Sequence, residues 1–223
     1  MSEGTGFLYP FIEADERDSA ALLADLAASA KDKAHESAAL QQSTLADCAE
    51  RILAAGGQLA ERFASGGRLY VFGNGGSSTD AATFAALFAQ PVTGRALPAL
   101  NLAADQAVVT ALGNDVGFEL VFSRQIIAHA SSRDIAVAFS TSGNSADLMS
   151  GLREAHQRGL MTIGFAGYTG GEMAESDAVD YCFVVASQSI HRIQESQALL
   201  GYQLWATTQR AIAGVPSARG GAA

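Results

Sequence analysis

Along the chain the spacing of apolar residues changes once, at "SGG" from Ser65 to Gly67. Before it, alanine and leucine recur at helical spacing from Asp15 to about Lys33 and again from about Glu36 to Ala64, which predicts two long helices ahead of every strand. After it, short β-branched or aromatic runs alternate with helical segments. The runs predict five strands, at Arg68 to Phe72, Ala96 to Leu102, Asp134 to Phe139, Met161 to Phe165 and Tyr181 to Val185, each followed by a helix. An extra helical stretch near Phe118 to His129 fills the connection between the second and third strands, and a last long helix begins near Ile190 and runs past Trp205. Such alternation predicts an α/β fold, a three-layer sandwich with a five-stranded parallel sheet and long N-terminal helices.

The polar opening "MSEGTG" makes residues 1–14 a flexible start, and "GVPSARGGAA" makes residues 214–223 a disordered tail. Between them, residues 15–213 read as a single domain with a helical extension over 15–65. The apolar patch "FLYPF", from Phe7 to Phe11, and the apolar faces of the first helices exceed what one sheet face can cover. They predict association of copies into a dimer or tetramer.

Composition narrows the function. A chain of 223 residues that is 48% hydrophobic and 17% charged buries a full core. Its formal net charge is -9, with no basic stripe to neutralise a phosphate backbone, which argues against nucleic acid as a direct partner. Cys48 and Cys182 fall in different predicted elements without CxxC spacing and read as small buried hydrophobes. Neither a leader pattern nor an apolar run of about 18 residues is present, so the reading is a cytoplasmic protein without a membrane role.

Two turns carry the candidate chemistry: "VFGNGGSSTDA" from Val71 to Ala81 and "FSTSGNSADL" from Phe139 to Leu148. Each sits where a strand's carboxyl end meets a helix's amino end, where unpaired N–H groups and the helix dipole attract an anion. Glycines let backbone approach a ligand closely, while Ser140, Thr141, Ser142 and Ser145 offer neutral hydroxyl donors to phosphate oxygens. Serine and asparagine also cap helices with no ligand present. Two such loops at the carboxyl ends of strands in one sheet nevertheless favour a ligand site. Neither is a GxGxxG nor a GxxxxGK[ST] motif, so a small phosphorylated metabolite fits better than a dinucleotide or nucleoside triphosphate.

"GNGGSSTDA" (Gly73 to Ala81), "LGNDVGFELVFSRQI" (Leu112 to Ile126), "STSGNS" (Ser140 to Ser145), "GGEMAESDAVD" (Gly170 to Asp180) and "RIQE" (Arg192 to Glu195) together resemble the sugar isomerase (SIS) domain family. Within it they resemble the phosphoheptose isomerases. The resemblance implies a phosphorylated sugar as ligand, held by Asn74, Gly75, Gly76, Ser77, Asp105, Ser140, Thr141, Ser142, Ser145 and Gln194. Zinc-dependent members carry a histidine and a glutamate one helical turn apart after the first loop, and a histidine on the last helix. Thr83, Leu87 and Tyr202 stand at those positions here. The expectation is therefore no metal and no cofactor. Aldose–ketose isomerisation through an enediol still needs a base, and Glu195 and then His191, one helical turn before it, are the candidates. The alternatives are a sugar-phosphate sensor or regulator without turnover, and an interaction protein like the family branch that partners the bacterial replication initiator.

Overall fold

No glycine or proline occurs between Ser19 and Ala55, and in the computed structural model helix α1 runs unbroken over Ser19–Ala64. Residues 19–214 are described; the polar start, the "FLYPF" patch and the tail beyond Gly214 lie outside the described residues. The two predicted N-terminal helices are thus one, because the polar stretch from Lys31 to Ser37 contains no breaker. The end falls where "SGG" places it. Gly66, at φ 81°, and Gly67 donate their N–H groups back to the carbonyls of Phe63 and Arg62, a Schellman stop. By its internal contacts the chain divides after Ala39, and residues from Leu40 onward form the α/β unit.

The elements that follow are β1 (Leu69–Gly73), α2 (Gly76–Ala89), β2 (Ala99–Asn101), α3 (Gln106–Asp115), a 3-10 turn (Phe118–Leu120), α4 (Val121–His129) and β3 (Ile135–Phe139). Then come α5 (Ala146–Gln157), β4 (Met161–Gly167), α6 (Gly171–Glu175), β5 (Tyr181–Val185) and α7 (Ile190–Gly214). All five strands pair in parallel, in the order β2-β1-β3-β4-β5. The predicted second strand is longer than the observed one. Pro98 has no N–H for the ladder, so pairing starts at Ala99, although the Pro98 carbonyl still accepts from the Leu69 N–H. Among the described residues no helix is long and apolar enough to cross a membrane.

Side chains alternate across the sheet. Leu69, Val71, Ile135, Val137, Phe139, Ile163 and Phe165 face a core closed by the second half of α1, by α2 and by α7. Tyr70, Phe72, Ala136, Ala138 and Ala166 face the opposite core, closed by α4 and α5. The first core is aromatic at its centre. Phe139 and Phe165 stack with centroids 4.4 Å apart, and Phe84 of α2 meets both edge-on. Phe165→Ala should therefore cost about 3–5 kcal/mol of unfolding free energy, read from a chemical-denaturation midpoint. A change below about 1 kcal/mol would show that the ring stack does not hold the sheet to α2.

Candidate functional site

In a parallel sheet of this order the chain reverses direction at β1: it steps outward to β2 and returns on the other side as β3. Helix α2 leaves β1 toward one face, and α5 leaves β3 toward the other. A crevice opens between them at the carboxyl ends of β1 and β3, the place where ligands bind in doubly wound sheets. Both serine-rich turns lie there.

The first turn is shaped by Gly75, whose φ of 52° and ψ of -124° suit only glycine. It stands at the amino end of α2, with no side chain capping that helix. Asn74 turns its amide across the crevice and donates to both carboxylate oxygens of Asp147, at 3.1 and 2.9 Å. Asp147 is buried in the first turn of α5, so this pair ties the two turns together. Ser77 is buried behind the loop.

The second turn is braced from within and from behind. The Ser140 hydroxyl accepts from the Gly143 N–H at 2.9 Å, and the Ser142 hydroxyl from the Asn144 N–H at 3.2 Å. Behind it, the Met173 N–H donates to the Gly143 carbonyl and the Glu172 N–H to Asn144 Oδ1. Gly143 sits at φ 70°, and a Cβ there would lie 1.9 Å from the Gly170 carbonyl oxygen, so nothing larger fits. Ser145 precedes α5 but makes no cap hydrogen bond, which leaves the first N–H groups of α5 open to a ligand. That is a rigid seat made of amides and hydroxyls.

Helix α7 supplies the third wall. Gln194 Nε2 donates to Asp80 Oδ2 at 2.6 Å and lies 2.8 Å from where a Cβ on Gly76 would stand. Gln197 Nε2 donates to the Ser140 carbonyl at 2.8 Å. Between α2 and α7 lies a cavity of about 80 Å³, lined by Asp80, Thr83, Leu87, Gln197 and Tyr202 among others. Burial raises the pKa of the Asp80 carboxyl, and the Gln194 hydrogen bond opposes that rise in part.

Of the expected ligand contacts, the structure brings Asn74, Gly75 and Gly76 together with the 140–145 turn and Gln194. Asp105 follows β2 at the same end of the sheet, and its carboxylate caps α3 by accepting from the Ala107 and Val108 N–H groups. Glu195 and His191 lie exposed on α7, and neither lines the cavity. Asp80 and Gln197 are not among the residues to which the sequence points. Both were legible as faces: Asp80, Thr83 and Leu87 fall at helical spacing on α2, as Gln194, Gln197 and Gly201 do on α7.

The donor set does not suit zinc. Leu87 offers nothing, the Thr83 hydroxyl donates to the Thr79 carbonyl, and Tyr202 brings a phenol whose ring lies beside Trp205. With Gln194 and Asp80 these make at most oxygen contacts, where zinc prefers nitrogen, sulfur and several carboxylates. Among the described residues no group of three His, Cys, Asp or Glu side chains is placed to hold a metal. Both cysteines are free thiols away from this cavity, Cys182 with a pKa pushed up to about 12 by burial.

The chain is similar to known proteins in sequence and fold. The family model described as "SIS domain" matches residues 34–167. The phosphoheptose isomerase of Aquifex aeolicus is 39% identical over 171 residues, covering 76% of this chain and 88% of that protein. That of Solidesulfovibrio magneticus is 40% identical over 171 residues, covering 76% and 82%. Among solved structures, the phosphoheptose isomerase of Neisseria gonorrhoeae superimposes with a TM-score of 0.77 at 31% identity, covering 83% of this chain and 99% of that one. A sheet switching direction at β1, two glycine–serine turns at the switch, and relatives matched over most of their length lead to one conclusion: the chain belongs to the SIS domain family.

Proposed function

We propose that this protein binds a phosphorylated sugar in the crevice between β1 and β3 and interconverts its aldose and ketose forms without a metal. The observation that carries the reading is the braced turn at Ser140–Ser145, with its uncapped helix amino end facing the Asn74–Gly76 turn. Amides, hydroxyls and a helix dipole hold a phosphate monoester without any lysine. The relatives named above are phosphoheptose isomerases, and they favour turnover over the sensor and interaction-protein readings.

Isomerisation moves one proton from the carbon beside the carbonyl to the neighbouring carbon, through an enediol. Glu195 and His191 remain candidates for the base. Asp80 joins them, because it lines the cavity and its raised pKa makes it a better proton acceptor than an ordinary carboxylate. The protein is read as cytoplasmic, as a homo-oligomer and without nucleic acid. Leu23 and Leu26, 65% and 57% exposed on α1, support the oligomer.

Replacing Ser142 by aspartate sets a fixed negative charge in the seat. Calorimetric binding of sedoheptulose 7-phosphate should be lost while circular dichroism stays unchanged; an unaltered affinity would put the phosphate elsewhere. For catalysis, Asp80→Asn, Glu195→Gln and His191→Asn are compared in an isomerase assay with and without a chelator. The variant that removes the base should lose about 10²–10⁴-fold in kcat, with the chelator making no difference. If Asp80 is that base it must be ionised to act, so wild-type kcat rises with pH through a value above that of an ordinary aspartate, and Asp80→Asn abolishes that limb. Stoichiometric zinc, with activity removed by chelator and restored by zinc, would overturn the metal-free reading. Light scattering at micromolar concentration should give a dimer or tetramer, and a monomer would refute the assembly.

A further inference from the structure

Asp147 is an awkward residue for the place it occupies. It is 4% exposed, in the first turn of α5, and among the described residues no cation pairs with it. A buried carboxylate without a cation costs stability unless hydrogen bonds hold it. It also shares the amino end of α5 with the anion seat, where a second negative charge opposes a phosphate. Neither stability nor phosphate binding accounts for an acid here.

Its hydrogen bonds do. Both of its oxygens accept from Asn74 Nδ2, at 3.1 and 2.9 Å. An ionised carboxylate only accepts, so the amide must offer its nitrogen to Asp147 and turn its oxygen elsewhere. A freely rotating amide presents either end to a ligand; this one presents a single end. Asn74 is half-buried, and no described residue donates to its Oδ1. Nor is that oxygen among the enclosed unpaired atoms, which are Ser196 Oγ, Gln197 Oε1 and Trp205 Nε1. It is open to whatever enters the crevice.

An accessible acceptor beside a seat of donors divides the crevice by chemistry. The 140–145 turn and the amino end of α5 offer O–H and N–H groups, which suit phosphate oxygens. A carbonyl oxygen has nothing to accept from a phosphate dianion. It suits a hydroxyl, and every aldose or ketose phosphate carries several.

We propose that Asp147 is a positioning residue, which fixes the Asn74 amide with its oxygen toward the crevice so that Asn74 accepts from a hydroxyl of the sugar. The inference rests on the sugar-phosphate reading of the crevice and names the chemistry that Asn74 recognises. It gives the Asn74–Asp147 pair a task beyond tying the two turns, since a ligand with a phosphate but no hydroxyl gains nothing from it.

The test is a double-mutant cycle on the full chain, read by calorimetry with sedoheptulose 7-phosphate and with inorganic phosphate. Asn74→Ala removes the acceptor, and Asp147→Ala frees the amide to turn. Each should weaken sedoheptulose 7-phosphate about tenfold, and the double variant no further than either alone, because both act on one hydrogen bond. A carboxylate that only braced α5 would add its loss to that of Asn74. Inorganic phosphate should bind Asn74→Ala as it binds wild type, and Asp147→Ala as well or better, because a negative charge has left the seat. Asp147→Ser, whose side chain suits a helix start but is one bond shorter, should repeat the result. Additive losses, variants at position 147 that bind the sugar phosphate like wild type, an equal loss for inorganic phosphate, or variants there that no longer fold would each overturn the positioning role and leave the sugar-phosphate reading intact. If the wild-type chain does not bind sedoheptulose 7-phosphate, that reading and this inference fall together.

Discussion

The crevice depends on one constraint: β1 and β3 lie side by side in parallel register, from Leu69 opposite Ile135 to Gly73 opposite Phe139, yet hand the chain to opposite faces of the sheet. Backbone hydrogen bonding fixes their spacing, so the sheet sets the separation of the two turns that follow, and the Asn74–Asp147 pair then ties them across the crevice. Glycine at the end of β1 keeps that junction thin. A Cβ on Gly73 would stand 2.5 Å from the Ser77 carbonyl oxygen and 3.0 Å from that of Phe139. The site is thereby built by the core, and its loops inherit the rigidity of buried strands.

Helix α7 converts this general crevice into a particular one. It is last in the chain, yet two of its glutamines reach the two turns separately: Gln194 to Asp80 behind the first, Gln197 to the backbone of Ser140 in the second. A shift of α7 would therefore disturb both walls together. Where the resemblance implies nitrogen and carboxylate ligands for a metal, this chain has Thr83, Leu87 and Tyr202, and the space they frame is mostly apolar. The same helices that position a metal in one chain can position a hydrophobic wall in another, because the backbone geometry is set elsewhere, in the sheet.

Much of this was legible beforehand, for identifiable reasons. Strands buried on both faces write themselves as short apolar runs, so β1, β3 and β4 lie where the sequence places them to within a residue or two, as does the half-buried edge strand β5. The turns were legible because glycine and serine have few other reasons to cluster at a strand end. The joining of two helices into α1 was not, because a polar interval without breakers reads as a gap although its residues are good helix formers. Nor were the roles of Asp80 and Gln197: a side chain's partner 114 or 57 residues away is a property of packing that no local spacing states.

The edges of the sheet have a consequence of their own. On one side β2 is only three residues long and is preceded by Pro98, while on the other Arg51 of α1 occupies the Cys182 carbonyl of β5 with a 3.0 Å hydrogen bond. One edge is thereby short and the other interrupted as a template for a foreign strand. Edge-to-edge pairing of folded copies is thereby hindered at both ends of the sheet.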